Sequence, residues 1–306
     1  MTAGEDISGR PVIFGEVLFD RFADGVEVLG GAPFNVAWHL EGFGLAPLFI
    51  SRVGDDEAGR RVREAMQDWG MDTAGLQTDA THPTGAVRVS LREGQPSFDI
   101  LPDQAYDHVD AGAAAAAAAV SECALVYHGT LILRGLPSRE ALDELCTRAQ
   151  AAVFVDVNLR DPWWRESDLP RVLNRARWVK VSEEELVRIS SRLGQAVGTL
   201  EETAQRFQRR HDIALLLVTR GGAGAVGFED SGGIHTVAPR EGVAVVDTVG
   251  AGDAFASVLL VGLIRGWPLA AALERAQEFA SRICRQRGAT AADPALYRDV
   301  TRAWGP

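Results

Sequence analysis

The sequence predicts an α/β fold in which helices cover both faces of a mainly parallel sheet. Short apolar runs rich in β-branched residues recur along the chain, and amphipathic segments separate them. Of the 306 residues, 46% are hydrophobic and 24% are charged. Buried parallel strands joined by crossover helices produce this alternation, and a chain of this length can bury a large core. We therefore expect one α/β domain over residues 1–306.

The apolar runs give the predicted core strands, which are residues 12–17, 48–53, 125–128, 153–157, 178–181 and 214–219. The segments between them are predicted to be helices over residues 35–44, 57–69, 111–120, 138–151 and 183–193. The alanine-rich part of the third helix fits because alanine is the strongest helix former.

Residues 83–98 break this rhythm. Apolar and polar residues alternate there around Glu93 and Gly94, which predicts a hairpin with its turn at those two residues. With residues 26–29 the hairpin would form a small sheet. A sheet of so few strands has an apolar face to bury.

We therefore expect a β-sheet lid, contributed by about residues 20–32 and 83–105. It would cover a ligand or pack against a second subunit, so a homodimer through the lid is expected.

Composition excludes several classes of protein. A net charge of −11 leaves no basic face for phosphate, so no nucleic acid partner is expected. The longest apolar stretches, residues 113–120 and 254–264, are too short to span a membrane. Residues 1–10 lack the features of a signal peptide, and the three cysteines are odd in number and widely spaced. These features predict a cytoplasmic protein with free thiols.

The segment 245–264 has the pattern of an anion site. Val245 and Val246 are predicted to end a strand, Gly250 and Gly252 form a turn with Ala251 between them, and a long apolar helix follows. Glycines let the backbone approach a ligand closely, and the free N–H groups and positive dipole of a helix start attract phosphate oxygens.

Asp253 lies in the first turn of that helix, where a carboxylate can act simply as a cap. However, Asp247 flanks the same turn, and a turn built only for anions gains nothing from two acids. An acid that faces a bound phosphate suggests a base aimed at a hydroxyl nucleophile.

A second glycine turn, Gly30-Gly31-Ala32-Pro33-Phe34-Asn35, also precedes a helix. Asn35 could be a helix N-cap. Alternatively, Gly31 and Asn35 line a pocket and hydrogen-bond a small polyol.

Two other nucleotide-site patterns are excluded. Gly222, Gly224 and Gly227 match a dinucleotide-binding fingerprint, but strand, turn and strand follow instead of the required helix. Lys180 is the only lysine and is not preceded by a glycine, so a P-loop is absent. The histidines are scattered singly and give no local support for a zinc site.

The chain resembles the ribokinase-like (PfkB) carbohydrate kinases. Residues 247–253 resemble their D-T-x-G-A-G-D signature, and residues 30–35 resemble their G-G-x-x-x-N signature. Similarity continues through residues 15–20, 156–160, 180–185 and 219–224, so it covers essentially the whole chain. The resemblance implies a three-layer αβα fold with a small β lid. It also implies ATP-dependent transfer of a γ-phosphoryl group to a primary hydroxyl.

Within the family the chain most resembles fructokinases, for example at Pro83-Thr84-Gly85 in the lid region. The 2-keto-3-deoxygluconate kinases carry a Tyr-x-Arg-x-x-Ser-Ala stretch there, where this chain has Phe98-Asp99-Ile100-Leu101-Pro102. A neutral sugar, fructose, is therefore expected. The alternatives are a 2-keto-3-deoxygluconate kinase, a nucleoside kinase, and a non-catalytic sugar or nucleotide sensor.

The resemblance also implies roles for individual residues. Asp253 is the expected general base, and Gly250, Ala251 and Gly252 form the anion hole. The residues expected to bind the sugar are Asp20, Gly31, Asn35, Asn158 and Arg160. Those expected to bind ATP are Lys180, Thr219, Gly222, Gly224, Gly250 and Gly252. Glu185 would hold Mg²⁺ through water, and a monovalent cation, K⁺, would bind near Asp247.

Overall fold

The computed structural model describes residues 7–92, 95–240, 242 and 244–305. Its strands are β1 Arg10–Phe14, β2 Leu18–Phe22, β3 Glu27–Gly30, β4 Leu48–Gly54, β5 Leu76–Asp79, β6 Gly85–Arg92, β7 Gln95–Ile100, β8 Cys123–His128, β9 Ala152–Asp156, β10 Trp178–Ser182, β11 Leu215–Thr219, β12 Ala225–Glu229 and β13 Ile234–Val237. Its α-helices are α1 Ala32–Gly42, α2 Glu57–Trp69, α3 Ala111–Ala118, α4 Leu136–Ala149, α5 Leu169–Arg175, α6 Glu183–Arg192, α7 Leu200–Arg210, α8 Ala251–Ile264, α9 Leu269–Ile283 and α10 Pro294–Trp304.

The large sheet has the order β13-β12-β11-β10-β9-β8-β1-β4-β5. The strands from β5 to β11 in this order are parallel, and β12 and β13 are antiparallel at one edge. All six predicted core strands are confirmed within a few residues. The carboxyl ends of the parallel strands meet at one edge, where ligands bind in open α/β sheets.

Two hydrophobic cores lie on opposite faces of this sheet. In β1 the buried Ile13 belongs to one core, whereas its neighbours Val12 and Phe14 belong to the other. The first core is packed by α1, α2, α8, α9 and α10, and the second by α3, α4, α5, α6 and α7. Because both faces are covered, the strands are nearly continuous apolar runs.

The small sheet has the order β3-β2-β6-β7. It contains the predicted hairpin as β6 and β7, and the predicted strand at residues 26–29 as β3. The sequence analysis missed β2, which lies at the centre of this sheet. The predicted turn at Glu93 and Gly94 lies outside the described residues.

The prediction of a strand at Val245 and Val246 is wrong. Both side chains are exposed, and the N–H groups of Val246 and Asp247 donate to the carbonyl of Cys284 instead of to a strand. β-Branched residues favour a strand only where a partner strand is within reach. This segment is a connection without strand pairing, and it is hydrogen-bonded to the residue that follows α9.

Two other predictions are confirmed. A short turn at Gly221–Ala223 leads directly into the antiparallel pair β12 and β13, so no helix follows the glycines and the dinucleotide fingerprint is excluded. The cysteines are free thiols. Among the described helices, none combines the length and the apolar character needed to cross a membrane.

Candidate active site

A cleft of about 600 Å³ lies between the carboxyl edge of the large sheet and the small sheet. The small sheet contributes Leu18, Asp20, Val87 and Ile100 to its wall. The large sheet and its connections contribute Gly31, Asn35, Asn158, Arg160, Lys180, Gly250, Gly252 and Asp253. The fold therefore brings together most of the predicted site residues, which lie far apart in the sequence.

The glycine turn before α8 requires its glycine. Gly250 has φ 78°, and a Cβ atom there would lie 2.4 Å from Cα of Ala289. No side chain in the described part of the chain caps the start of α8. The N–H group of Ala251 donates to the carbonyl of Thr248 within the turn. Because the first N–H groups of a helix lack partners inside the helix, this end of α8 offers donors to the cleft.

Asp253 is held by a residue from the opposite end of the chain. Asn35 Nδ2 donates to Asp253 Oδ2 at 2.7 Å. Asp253 therefore does not cap its own helix, and that alternative is wrong. Asn35 Oδ1 is buried and has no hydrogen-bond partner among the described residues. An unsatisfied buried oxygen of this kind is costly unless a ligand supplies a donor.

Asn35 itself is not the N-cap of α1, because Gly31 occupies that position. Gly31 has φ 113°, and a Cβ atom would lie 2.7 Å from the carbonyl oxygen of Glu16. The glycine thus lets α1 begin against the loop that follows β1. This close approach carries Asn35 into the cleft, as the pocket alternative predicted.

The environment of Asp253 raises its pKa to about 6. Burial is the largest cause. The hydrogen bond from Asn35 and the charge of Lys180 act in the other direction, whereas Asp156 raises the pKa further. A carboxyl group with a pKa near neutrality is suited to accept a proton from a hydroxyl group.

Lys180 places a positive charge next to the start of α8. Its Nζ atom donates to both carboxylate oxygens of Asp156 at 2.8 Å, and the two residues are paired in register across β9 and β10. Burial lowers the pKa of Lys180, but Asp156 more than offsets this effect and the net pKa is raised. A Cβ atom on Gly252 would lie 3.6 Å from Nζ. The ammonium group and the helix start therefore face the same part of the cleft.

Glu16 is a site residue that the sequence analysis missed. It lies between β1 and β2, lines the cleft and is only 5% exposed. Its Oε2 atom has no hydrogen-bond partner in the described chain. Burial raises its pKa to about 7, although its own backbone and Arg160 act in the opposite direction. The sequence signal that could have found Glu16 is a single acid within the otherwise apolar run 11–19, because acidic residues are rarely buried unless they are paired.

Three of the predicted sugar-binding residues line the rim of the cleft. Asp20 projects from β2, and burial raises its pKa while the charge of Arg160 lowers it. Arg160 is exposed, and its charge also acts on Glu16 and Asp253. Asn158 follows β9 with φ 40°. The rim thus combines acidic groups with one guanidinium group.

The structure does not place Thr219, Gly222 and Gly224 in the cleft wall. Thr219 ends β11, the strand next to β10, and Gly222 lies in the exposed turn that follows. They share the carboxyl edge of the sheet with Lys180. These three residues therefore lie along the same edge of the sheet, outside the cleft.

The two predicted metal-binding acids also lie outside the cleft wall. Glu185 accepts the N–H groups of Leu159 at 2.6 Å and Ser182 at 2.8 Å, and so caps α6 and holds the loop after β9. Asp247 accepts the N–H groups of Val249 at 3.0 Å and Gly288 at 3.1 Å. It therefore joins the glycine turn to the loop after α9.

Comparison with known proteins decides the family. The model of the pfkB family of carbohydrate kinases matches residues 9–296. The chain belongs to this family. As a pfkB family carbohydrate kinase it is a phosphotransferase, and the family predicted from the two glycine signatures is confirmed.

Relatives of this kinase include two enzymes from Salmonella typhimurium. A fructokinase is 34% identical over 292 residues, which cover 89% of this chain and 91% of the relative. An aminoimidazole riboside kinase of strain LT2 is 32% identical over 279 residues, which cover 87% and 84%. The kinase is therefore fructokinase-like at the level of sequence.

Solved structures support the same assignment. The fructokinase of Vibrio cholerae O395, in its fructose, ADP and calcium ion bound form, superimposes with a TM-score of 0.75 at 27% identity. The match covers 96% of this chain and 99% of that one. The predicted three-layer, ribokinase-like fold is confirmed.

Proposed function

We propose that this kinase transfers the γ-phosphoryl group of ATP to a primary hydroxyl group of a small sugar, fructose. The observation that carries the proposal is the position of Asp253. It lies in the cleft beside the uncapped start of α8, and Asn35 fixes its carboxylate at 2.7 Å. A base and an anion-binding helix end thus face one volume, as transfer from a phosphate to an alcohol requires.

The sugar would bind under the small sheet. Asp20, Asn35 and the backbone at Gly31 would hydrogen-bond its hydroxyl groups, and Asn35 Oδ1 would gain the donor it lacks. Glu16 would add a further partner through its free Oε2 atom. Asn158 and Arg160 also line the cleft and would help to hold the anionic phosphate end of the reactants.

ATP would lie along the carboxyl edge of the large sheet. Its phosphates would reach the turn from Gly250 to Gly252, where Lys180 adds a full positive charge to the partial charge of the helix end. Its adenine would extend toward Thr219, Gly222 and Gly224. This direction follows from the order of the sheet, because β11 is the next strand outward from β10.

In the transfer step, Asp253 takes the hydroxyl proton while the sugar oxygen bonds to the γ-phosphorus and the bond to ADP breaks. General-base catalysis of this kind contributes roughly 10²–10⁴-fold. The remaining acceleration comes from holding the two reactants in line and stabilising phosphate charge.

The donor set fits hydrated cations. Each carboxylate oxygen of Glu185 accepts one N–H group and keeps lone pairs for a water molecule of Mg²⁺, which ATP phosphates would hold directly. The ion would neutralise phosphate charge. A K⁺ ion would bind near Asp247 and the loop at residues 287–289, where Asp247 Oδ2 accepts the N–H group of Gly288.

The small sheet would act as a lid. Asp20, Val87 and Ile100 share one of its faces, because β2, β6 and β7 pair at these positions, and that face borders the cleft. Water competes with the sugar for the phosphoryl group, so closure over the sugar would protect ATP.

The same face continues to Phe98, which also lines the cleft and is 52% exposed, and beyond the cleft to Phe22, which is 41% exposed. We propose that a second copy of the chain covers this apolar end through its own lid. Sedimentation at micromolar concentration would show a dimer, and a monomer would refute this arrangement.

The acceptor is tested by phosphorylating fructose, 2-keto-3-deoxygluconate, ribose, adenosine and aminoimidazole riboside side by side. The similarity to fructokinases supports fructose, and kcat/KM for fructose should exceed the others. Highest turnover of a nucleoside would favour the alternative that the riboside kinase relative suggests. Binding of sugar and ATP without turnover would favour the non-catalytic sensor.

A further inference from the structure

His39 is a fully buried histidine that the transfer step described above does not use. It lies on α1 and is 0% exposed. Its ring packs edge-on against Phe279 of α9, with centroids 5.1 Å apart and planes 88° apart. A phenyl ring would fill the same space with no polar atom to satisfy. Because a buried polar group has a cost unless it is hydrogen-bonded, the specific contribution of the imidazole lies in the hydrogen bonds of its two nitrogens.

Both ring nitrogens of His39 have partners. Nε2 is 3.0 Å from the carbonyl oxygen of Ala289, and Nδ1 is 2.9 Å from the hydroxyl oxygen of Tyr297 on α10. A carbonyl oxygen can only accept, so Nε2 carries a proton and donates to Ala289. Burial lowers the pKa of His39 to about 4, although the bond to Ala289 acts in the opposite direction. The ring is therefore neutral near pH 7, and Nδ1 is left as an acceptor for Tyr297.

Ala289 lies directly beneath the glycine turn that precedes α8. A Cβ atom on Gly250 would lie 2.4 Å from Cα of Ala289 and 2.9 Å from its carbonyl oxygen. The carbonyl group that accepts from His39 thus belongs to the residue against which the turn packs. A second bond from α1 reaches the same segment, because Trp38 Nε1 donates to the carbonyl of Ala291 at 2.8 Å. Helix α1 therefore holds the backbone beneath the turn.

One face of α1 holds both parts of the transfer site. Asn35 and His39 are four positions apart, so their side chains lie on the same face of the helix. Asn35 donates to the carboxylate of Asp253, and His39 donates to Ala289 beneath the turn. The distance between the base and the anion-binding turn is thus set by one rigid element. A misplacement of about 1 Å in a catalytic site can lower the rate by roughly 10²-fold.

We propose that His39 is a positioning residue for phosphoryl transfer, because its Nε2–H group holds the carbonyl of Ala289 and so fixes the turn from Gly250 to Gly252 relative to Asp253. His39 is not part of the cleft wall, so it acts through the backbone and contacts neither reactant. This role rests on the proposed function, in which the turn binds the transferred phosphate.

The test compares three substitutions of His39 in the full chain. In His39→Gln the side-chain amide can take the position of the ring Nε2 and donate to Ala289. In His39→Asn the shorter side chain places its amide near the Nδ1 position, and in His39→Phe the ring remains without a donor. His211→Phe is the matched control, because His211 is also buried but precedes β11, at the opposite edge of the large sheet.

The kcat and KM of each variant are measured with ATP and the best acceptor of the sugar panel, and circular dichroism gives the Tm. We expect His39→Phe and His39→Asn to lower kcat by roughly 10²-fold with little change in the KM for the sugar, because the phosphate-binding turn is displaced. His39→Gln should keep most of the wild-type kcat. His211→Phe should leave kcat unchanged even where it lowers the Tm. Rescue by Gln and not by Asn is a result that a general loss of core packing would not give.

Equal kcat in His39→Gln and His39→Asn would overturn the proposal, and this comparison decides alone if His39→Phe does not fold. A fall in kcat that His211→Phe reproduces at the same loss of Tm would overturn it as well. Asp253→Asn, measured alongside, separates these results from a failure of the proposed function. If Asp253→Asn is inactive while all His39 variants match the wild type, only the positioning role fails. If Asp253→Asn keeps full turnover, the proposed function fails and the positioning role fails with it.

Discussion

Replacing Glu16 with Gln should make the kinase more stable at high pH than at low pH, relative to the wild type. The pKa of Glu16 rises from 4.5 to about 7 on folding. At roughly 1.36 kcal/mol per pH unit, this shift corresponds to about 3 kcal/mol. The folded chain keeps the proton that the unfolded chain loses, so the wild type is destabilised progressively as the pH rises from 4.5 to about 7.

Gln has the same shape as Glu and does not titrate. The unfolding free energy of Glu16→Gln minus that of the wild type should therefore increase by about 3 kcal/mol across this pH range. Urea denaturation followed by tryptophan fluorescence measures this difference. Glu184→Gln is the control, because Glu184 is exposed on α6. If the difference in unfolding free energy between Glu16→Gln and the wild type stayed constant with pH, the raised pKa of the buried Glu16 carboxyl group would be refuted.

Three further predictions concern the cleft. kcat/KM should rise with pH through about 6 as Asp253 loses its proton. Asn35→Ala should shift the midpoint of this rise upward, because the hydrogen bond from Asn35 favours the carboxylate form of Asp253. A midpoint that is the same in the pH–rate profiles of both proteins would contradict this prediction. Gly250→Ala should lower the unfolding free energy by at least about 1 kcal/mol more than Gly266→Ala does. Both glycines have positive φ, but only at Gly250 would the added Cβ atom clash with the backbone, at Ala289. Equal losses in the two variants would contradict the close packing of Gly250 against Ala289. Lys180→Met should lower the unfolding free energy by about 3–5 kcal/mol, because the buried Asp156 carboxylate loses its counter-charge. The double variant with Asp156→Leu should regain stability but not ATP affinity, and recovery of both would contradict the phosphate role.

The parts of the site that are local in sequence could be predicted from it. The glycine turn at Gly250 is followed directly by an apolar helix, so the anion-binding pattern of turn and helix is contained in one short stretch of sequence. The core strands were predictable for a similar reason, because burial on both faces makes them continuous apolar runs.

Contacts between distant residues could not be predicted in this way. Asn35 and Asp253 are 218 positions apart, and only the packing of α1 beside α8 brings them together. Lys180 was expected to bind ATP, but strand register also pairs it with Asp156. Val245 and Val246 have strand-forming side chains without a partner strand, so propensity predicted the wrong structure there.

The most direct measurement of the central claim is the turnover of Asp253→Asn with fructose and ATP, followed by detection of the phosphorylated sugar. Asn has the shape of Asp but cannot take up the hydroxyl proton. We predict that kcat falls by roughly 10²–10⁴-fold while the Kd for the sugar changes little. A variant whose kcat stays within about tenfold of the wild type would contradict the role of Asp253 as the base.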